Sequence, residues 1–114
     1  MAEYRFPDTI DPARRYLFYL HGKIIEDQGI PAVSPDYGEY EYAAILEKLA
    51  SYGFVVISEQ REANTDVETY AQKVIEQINR LLEANIPPQA ITVVGVSKGA
   101  SIAIHISYYL KTTR

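Results

Sequence analysis

Apolar residues along this chain fall into two kinds of run. Three short stretches are apolar or aromatic at all or nearly all positions: YLFYL at 16 to 20, FVVIS at 54 to 58 and ITVV at 91 to 94. An unbroken run is what a strand covered on both faces requires, so residues 16 to 20 are read as such a strand and the other two runs as the second and third strands. Between and after them the apolar positions return every three or four residues. Tyr42, Ile45, Leu46 and Leu49 hold helical spacing, and Gly53 stands where a left-handed C-terminal cap is expected. A second and stronger stripe covers roughly 66 to 84, through Val67, Tyr70, Ala71, Val74, Ile75, Ile78, Leu81 and Leu82. Thr65 and Glu68 fit a capping box at its start, and Pro87 and Pro88 stop it.

A last helix is expected over about 98 to 110. It carries Ile102, Ala103, Ile104, Ile106 and Leu110, is apolar on more than one face, and so should be largely buried. Residues 1 to 15, interrupted by Pro7 and Pro12, read as a lead-in segment across the surface. Residues 23 to 36, with Gly29, Pro31 and Pro35, read as a loop lying over whatever the first strand end builds. Strands alternating with helices specify an α/β domain with parallel pairing through right-handed crossovers. The expectation is a single domain over 1–114, three layers deep, around a short parallel sheet.

Composition narrows the function classes. With 47% hydrophobic and 23% charged residues the chain belongs with ordinary globular proteins. Fifteen acidic against eleven basic residues, the basic ones scattered, make nucleic acid an unsuitable partner. The chain has no cysteine, so thiolate chemistry and disulfides are excluded. No apolar run reaches the ~18 residues of a membrane span, and the polar N-terminus has no signal-peptide core, so a cytoplasmic protein without a membrane role is expected. No metal-ligand pattern stands out, and neither a metal nor another cofactor is expected.

The candidate chemistry lies at 95 to 99. Gly95, Val96, Ser97, Lys98 and Gly99 form G-x-S-x-G between a predicted strand and a predicted helix. A serine on so sharp a turn takes a strained backbone, and the positions two before and two after it must be small because strand and helix converge there. The plainer alternative is a glycine-rich turn that merely starts a helix. His21, Gly22 and Lys23 follow the first strand. A serine hydrolase of this kind places a loop there whose backbone N–H helps bind the developing oxyanion.

On GVSKGAS at 95 to 101 and FYLHGK at 18 to 23, the chain resembles a small bacterial α/β hydrolase of the serine esterase kind, from Tyr16 onward. The resemblance implies the N-terminal half of that fold, with the three strands in spatial order two, one, three. It implies Ser97 as nucleophile and the Lys98 and Lys23 amides as an oxyanion hole, supported by Gly95, Gly99, His21 and Gly22. The substrate class would be a small molecule with an ester or related acyl bond.

In that family an acid and then a histidine follow the nucleophile. After Ser97 come seventeen residues without an Asp or Glu. His105, eight positions on, lies ~12 Å along a helix axis from the serine, out of reach of its hydroxyl. A dyad of Ser97 with His21 is conceivable, although that histidine ordinarily holds the loop. The expectation is therefore a truncated, poorly active hydrolase. The alternative from another class is a non-catalytic module holding a small anion at the helix N-terminus after Gly95, with help from the Lys98 side chain. Glu59 and Arg61, after the second strand, are read as a solvated ion pair or as substrate contacts. Tyr37, Tyr40 and Tyr42 invite an aromatic cage, but packing explains them equally well. The serine-bearing strand at a sheet edge leaves room for a homodimer.

Overall fold

The computed structural model describes residues 4–113, with side chains described through residue 110. Its centre is β1 (Arg15–Leu20), where every residue from Tyr16 to Leu20 is buried. Only a strand covered on both faces and paired on both edges reaches that state, and β1 is both. It pairs in parallel with β4 (Phe54–Ile57) on one side and with β5 (Ile91–Gly95) on the other, giving the order β4-β1-β5. This is the strand order that the resemblance implies.

Alternation along β1 divides the core in two. Tyr16, Phe18 and Leu20 point into a cluster built with α3 (Val67–Glu83) and α4 (Lys98–Thr113), through Val74, Ile75, Ile78, Leu81, Ile102 and Ile106. Leu17 and Tyr19 point the other way, onto Ile25 of α1 (Lys23–Gln28) and onto Tyr42 and Leu46 of α2 (Tyr42–Ser51). Helices thus cover both faces of a three-stranded sheet, an α/β arrangement. Gly53 has φ +91°, and its amide bonds the Ala50 carbonyl, closing α2 in the left-handed conformation that glycine tolerates best.

Three expectations need correction. Residues 23 to 36 are not an irregular loop. They form α1 followed by the antiparallel strand β2 (Ala32–Ser34), which pairs with β3 (Gly38–Tyr40). Gly29, at φ +75°, stops α1, and the Gln28 side chain then bonds both the amide and the carbonyl of Val33, folding the hairpin back. Six-residue and three-residue elements are too short to show a period.

The cap of α3 is Asp66, whose carboxylate accepts from the Thr69 amide at 2.9 Å. Thr65 does not cap the helix; its hydroxyl bonds Glu62 in the preceding turn. An ionised carboxylate at N-cap also meets the positive end of the helix dipole, which favours Asp66 over its neighbour.

Nor is α4 largely buried. Ile102 and Ile106 are covered, while Ile104 is 69% and Tyr108 71% exposed. Among the described residues β5 is an edge strand with β1 as its one neighbour, so α4 packs on α3 and the sheet along one side only.

These assignments predict unequal costs of truncation. Leu81→Ala, at a fully buried site, should lower stability to urea by about 2–5 kcal/mol, whereas Ile104→Ala should cost less than about 1 kcal/mol. Equal losses in the two variants would contradict the exposed face of α4.

Candidate functional site

The carboxyl ends of β1, β4 and β5 meet on one edge of the sheet, and Ser97 stands there between β5 and α4. The ladder between β1 and β5 runs up to the turn, with the Val96 amide donating to the Leu20 carbonyl at 3.1 Å. Ser97 then takes φ +56°, and the helix closes at once as the Gly99 amide bonds Val96 and the Ala100 amide bonds Ser97. A left-handed serine costs about 1–3 kcal/mol and persists only where its surroundings leave no alternative. Two backbone approaches supply that constraint. A Cβ at Gly95 would lie 2.2 Å from the Gly99 carbonyl oxygen, and one at Gly99 would lie 2.0 Å from the Leu20 carbonyl oxygen. Both distances are far inside van der Waals contact, so each position requires glycine. The G-x-S-x-G spacing is thus a packing condition at the crossing of β5, β1 and α4.

Gly22 brings the end of β1 against the serine: a Cβ there would sit 3.5 Å from Ser97 Cβ and 3.7 Å from the Tyr40 ring. Lys23 and Lys98 are the first residues of α1 and α4, so neither backbone amide has an acceptor within its own helix. Ser97 is exposed and Gly22 is buried. Grooves of about 500, 310 and 290 Å³ lie between α3 and α4 and beside the hairpin, and none is lined by Ser97.

His21 is fully buried and has both ring nitrogens occupied. Its Nδ1 is 2.8 Å from the Gly22 carbonyl oxygen, which can only accept, and its Nε2 receives the Arg61 amide at 2.8 Å. The ring is therefore neutral with its proton on Nδ1. Burial lowers its pKa to about 4, helped by the Arg61 charge and opposed by the Gly22 bond. With Nε2 committed to Arg61, His21 has no free nitrogen to accept the Ser97 proton, and the conceivable Ser97–His21 dyad is not formed. The histidine fastens the end of β1 to the loop after β4. His105 is exposed on α4.

Arg61 and Glu59 do not form a solvated pair with each other. Glu59 bonds Lys73 at 2.6 Å. Arg61 is 3% exposed and donates from Nε to Glu26 Oε2 at 2.6 Å and from Nη2 to the His21 carbonyl at 2.5 Å. Among the described residues its Nη1 has no hydrogen-bond partner, and the guanidinium carbon lies 5.6 Å from the centre of the Tyr70 ring. The other oxygen of Glu26 accepts from Lys98 Nζ at 2.7 Å, and Lys98 Nζ also bonds the Thr65 carbonyl. Burial opposes ionisation of Glu26, but the bonds from Lys98 and Arg61 and their charges outweigh it and hold the carboxyl below its usual range. One buried carboxylate is shared by two cations.

Glu26 is the residue that sequence reasoning missed. It stands beside Asp27, which pairs with Lys23 at 2.8 Å on the surface, and nothing in KIIEDQ separates the inward carboxylate from the outward one. The Lys98 ammonium, already held by Glu26 and Thr65, is not free to take the anion-binding role considered for it. The Lys23 side chain is likewise engaged, with Asp27. Tyr37 is 91% exposed, while the Tyr40 hydroxyl bonds Tyr19 at 2.6 Å and the Tyr42 hydroxyl bonds Ser58; Tyr40 and Tyr42 pack in the core beside β1 and Tyr37 projects into solvent, so the three do not form a cage.

No family model matches the chain, and no curated protein or solved structure matches it. Among the described residues no group of three or more His, Cys, Asp or Glu side chains is placed to hold a metal, and no helix is long and apolar enough to cross a membrane.

Two outcomes follow from this geometry. Gly99→Ala, which drives a Cβ into the β1 backbone, should cost about 1–3 kcal/mol or more, up to loss of folding, as read by thermal melting; a melt unchanged from wild type would contradict the close approach. The second concerns pH. In the unfolded chain His21 titrates near 6.5, and in the folded protein near 4. Between those values the unfolded state binds the extra proton, so this contribution is complete above pH 6.5 and is lost as pH falls toward 4, by up to about 3 kcal/mol. Urea midpoints measured across that window should fall with pH in wild type and lose this slope in His21→Asn.

Proposed function

We propose that this chain is part of an α/β-hydrolase fold and that Ser97 attacks an ester or related acyl bond. The observation that carries the reading is the Ser97 backbone, at φ +56° between β5 and α4 with Gly95 and Gly99 in backbone contact. That turn presents a hydroxyl at the carboxyl edge of a parallel sheet, where such sheets gather ligands. In the reaction the Ser97 Oγ adds to the substrate carbonyl carbon, its proton passes to solvent, and the carbonyl oxygen becomes an oxyanion. The amides of Lys98 and Lys23 are the donors proposed for that oxygen. The oxyanion then collapses, the bond to the alcohol oxygen breaks and that oxygen takes a proton from solvent, leaving an acyl group on Ser97; water adds to the acyl carbon, releasing the carboxylic acid and restoring the Ser97 hydroxyl.

Among the described residues no histidine is available as base, since His21 is occupied and His105 lies along α4. The hydroxyl is therefore weakly nucleophilic at neutral pH. Turnover by this chain should be slow, resting on the oxyanion donors and on substrate positioning, which elsewhere sustain ~10³ to 10⁴ over the reaction in water.

A fluorophosphonate probe tests the reading. Wild type should be labelled slowly but to one equivalent, with the adduct mapped to Ser97 by mass spectrometry, and Ser97→Ala should not be labelled. Equal labelling of Ser97→Ala, or none of wild type after prolonged exposure, would count against a nucleophile at Ser97.

A further inference from the structure

We infer that Glu26 is a positioning residue for the Ser97 site, setting the gap between the two backbone amides proposed to receive the oxyanion. The inference rests on the acyl-transfer reading above. The first amide belongs to Lys23, at the start of α1. That helix has six residues and no side-chain cap, and it buries only Ile25 and Glu26. So short a helix does not hold itself in place; Ile25 and the half-buried Ile24 pack it on the core, Gln28 ties its end to the hairpin, and among the described residues Glu26 is its one hydrogen-bonded link to the start of α4. The second amide belongs to Lys98, at the start of α4, and the same residue's ammonium is bonded to Glu26 Oε1 at 2.7 Å. Glu26 is therefore a strut between the two helices that carry the two donors.

The remaining bonds stiffen the strut. Oε2 is held by Arg61, whose Nη2 bonds the His21 carbonyl and whose amide bonds His21 Nε2. His21 immediately precedes Gly22, which lies against Ser97. Lys98 is further held by the Thr65 carbonyl. Carboxylate, guanidinium, ammonium and imidazole thus fix α1, the end of β1, the loop before α3 and the start of α4 relative to one another. Oxyanion donors act only when they are aimed before the charge develops, and supporting contacts of this type do the aiming.

Methylphosphonate, a tetrahedral oxyanion that does not react, separates positioning from charge. In wild type and in Ser97→Ala its titration should shift the Lys23 and Lys98 amide resonances together on one binding curve. Glu26→Gln removes a negative charge near the anion, so charge alone would tighten binding. Positioning instead predicts binding weaker by about tenfold or more, with the Lys23 amide no longer responding.

Should Glu26→Gln fail to fold with Arg61 left uncompensated, Glu26→Leu with Arg61→Met removes both members of the buried pair and leaves the local net charge unchanged. The same weakening is expected there. Tighter or unchanged binding with both amides responding, in either folded variant, overturns the inference, as does the absence of a joint response in wild type. Fluorophosphonate labelling in parallel reports on Ser97 alone. An unlabelled wild type whose amide response is lost in Glu26→Gln would remove the nucleophile and keep the strut.

Discussion

The carboxylate of Glu26 is out of water and binds two cations that arrive from distant parts of the chain. Withdrawing three charges from solvent costs several kcal/mol per ion, and the arrangement survives because each oxygen has its own donor at 2.6 to 2.7 Å. Little net stability follows from such a cluster, but much order does. Removing one member would strand a charge in the interior, so the segments that supply Glu26, Arg61 and Lys98 are bound to meet in one geometry. Those segments are α1, the loop leading to α3, and the start of α4, which are the crossings that surround the carboxyl ends of β1 and β5.

On that frame the strain at Ser97 becomes tolerable. The turn is squeezed by the backbone of β1 from one side and by the first turn of α4 from the other, and the two glycines are the only residues that fit the approach. His21, neutral and bonded at both nitrogens, keeps the end of β1 from moving away. The serine hydroxyl is left outside this network. The residues around it are organised to hold backbone in place, which agrees with the proposed reliance on amide donors and with the slow turnover proposed where neither described histidine is available as base.

Much of this was legible in the sequence, for a physical reason that also marks where reading stopped. A strand covered on both faces does not alternate, so YLFYL declared itself, and the apolar runs of FVVIS and ITVV marked its two neighbours although β5, at the edge, is only half-buried; the long stripe of α3 declared the helix between those two. The turn at Ser97 was legible because the glycines that its contacts demand stand two positions either side of the serine, although one of those contacts, Gly99 against Leu20, is made with a distant strand. The short α1 and the β2–β3 hairpin were not legible, because their stability comes from Gln28 reaching across to Val33 and from burial of single residues rather than from a period. Glu26 was hidden for the same reason, since a carboxylate turned inward is distinguished from Asp27 only by partners 35 and 72 positions away. The open face of α4 was misjudged because an apolar helix reads as buried whether or not another layer stands across from it.

If the Glu26 cluster is the joint that orders the site, then Glu26 and Arg61 are energetically coupled and not merely adjacent. A double-mutant cycle over Glu26→Gln, Arg61→Met and the two combined, read as unfolding free energy in urea, measures that coupling directly. The account predicts that the double variant is markedly less destabilised than the sum of the singles, by about 2–3 kcal/mol, because each single change strands the charge of the other. Additivity within about 0.5 kcal/mol would contradict it.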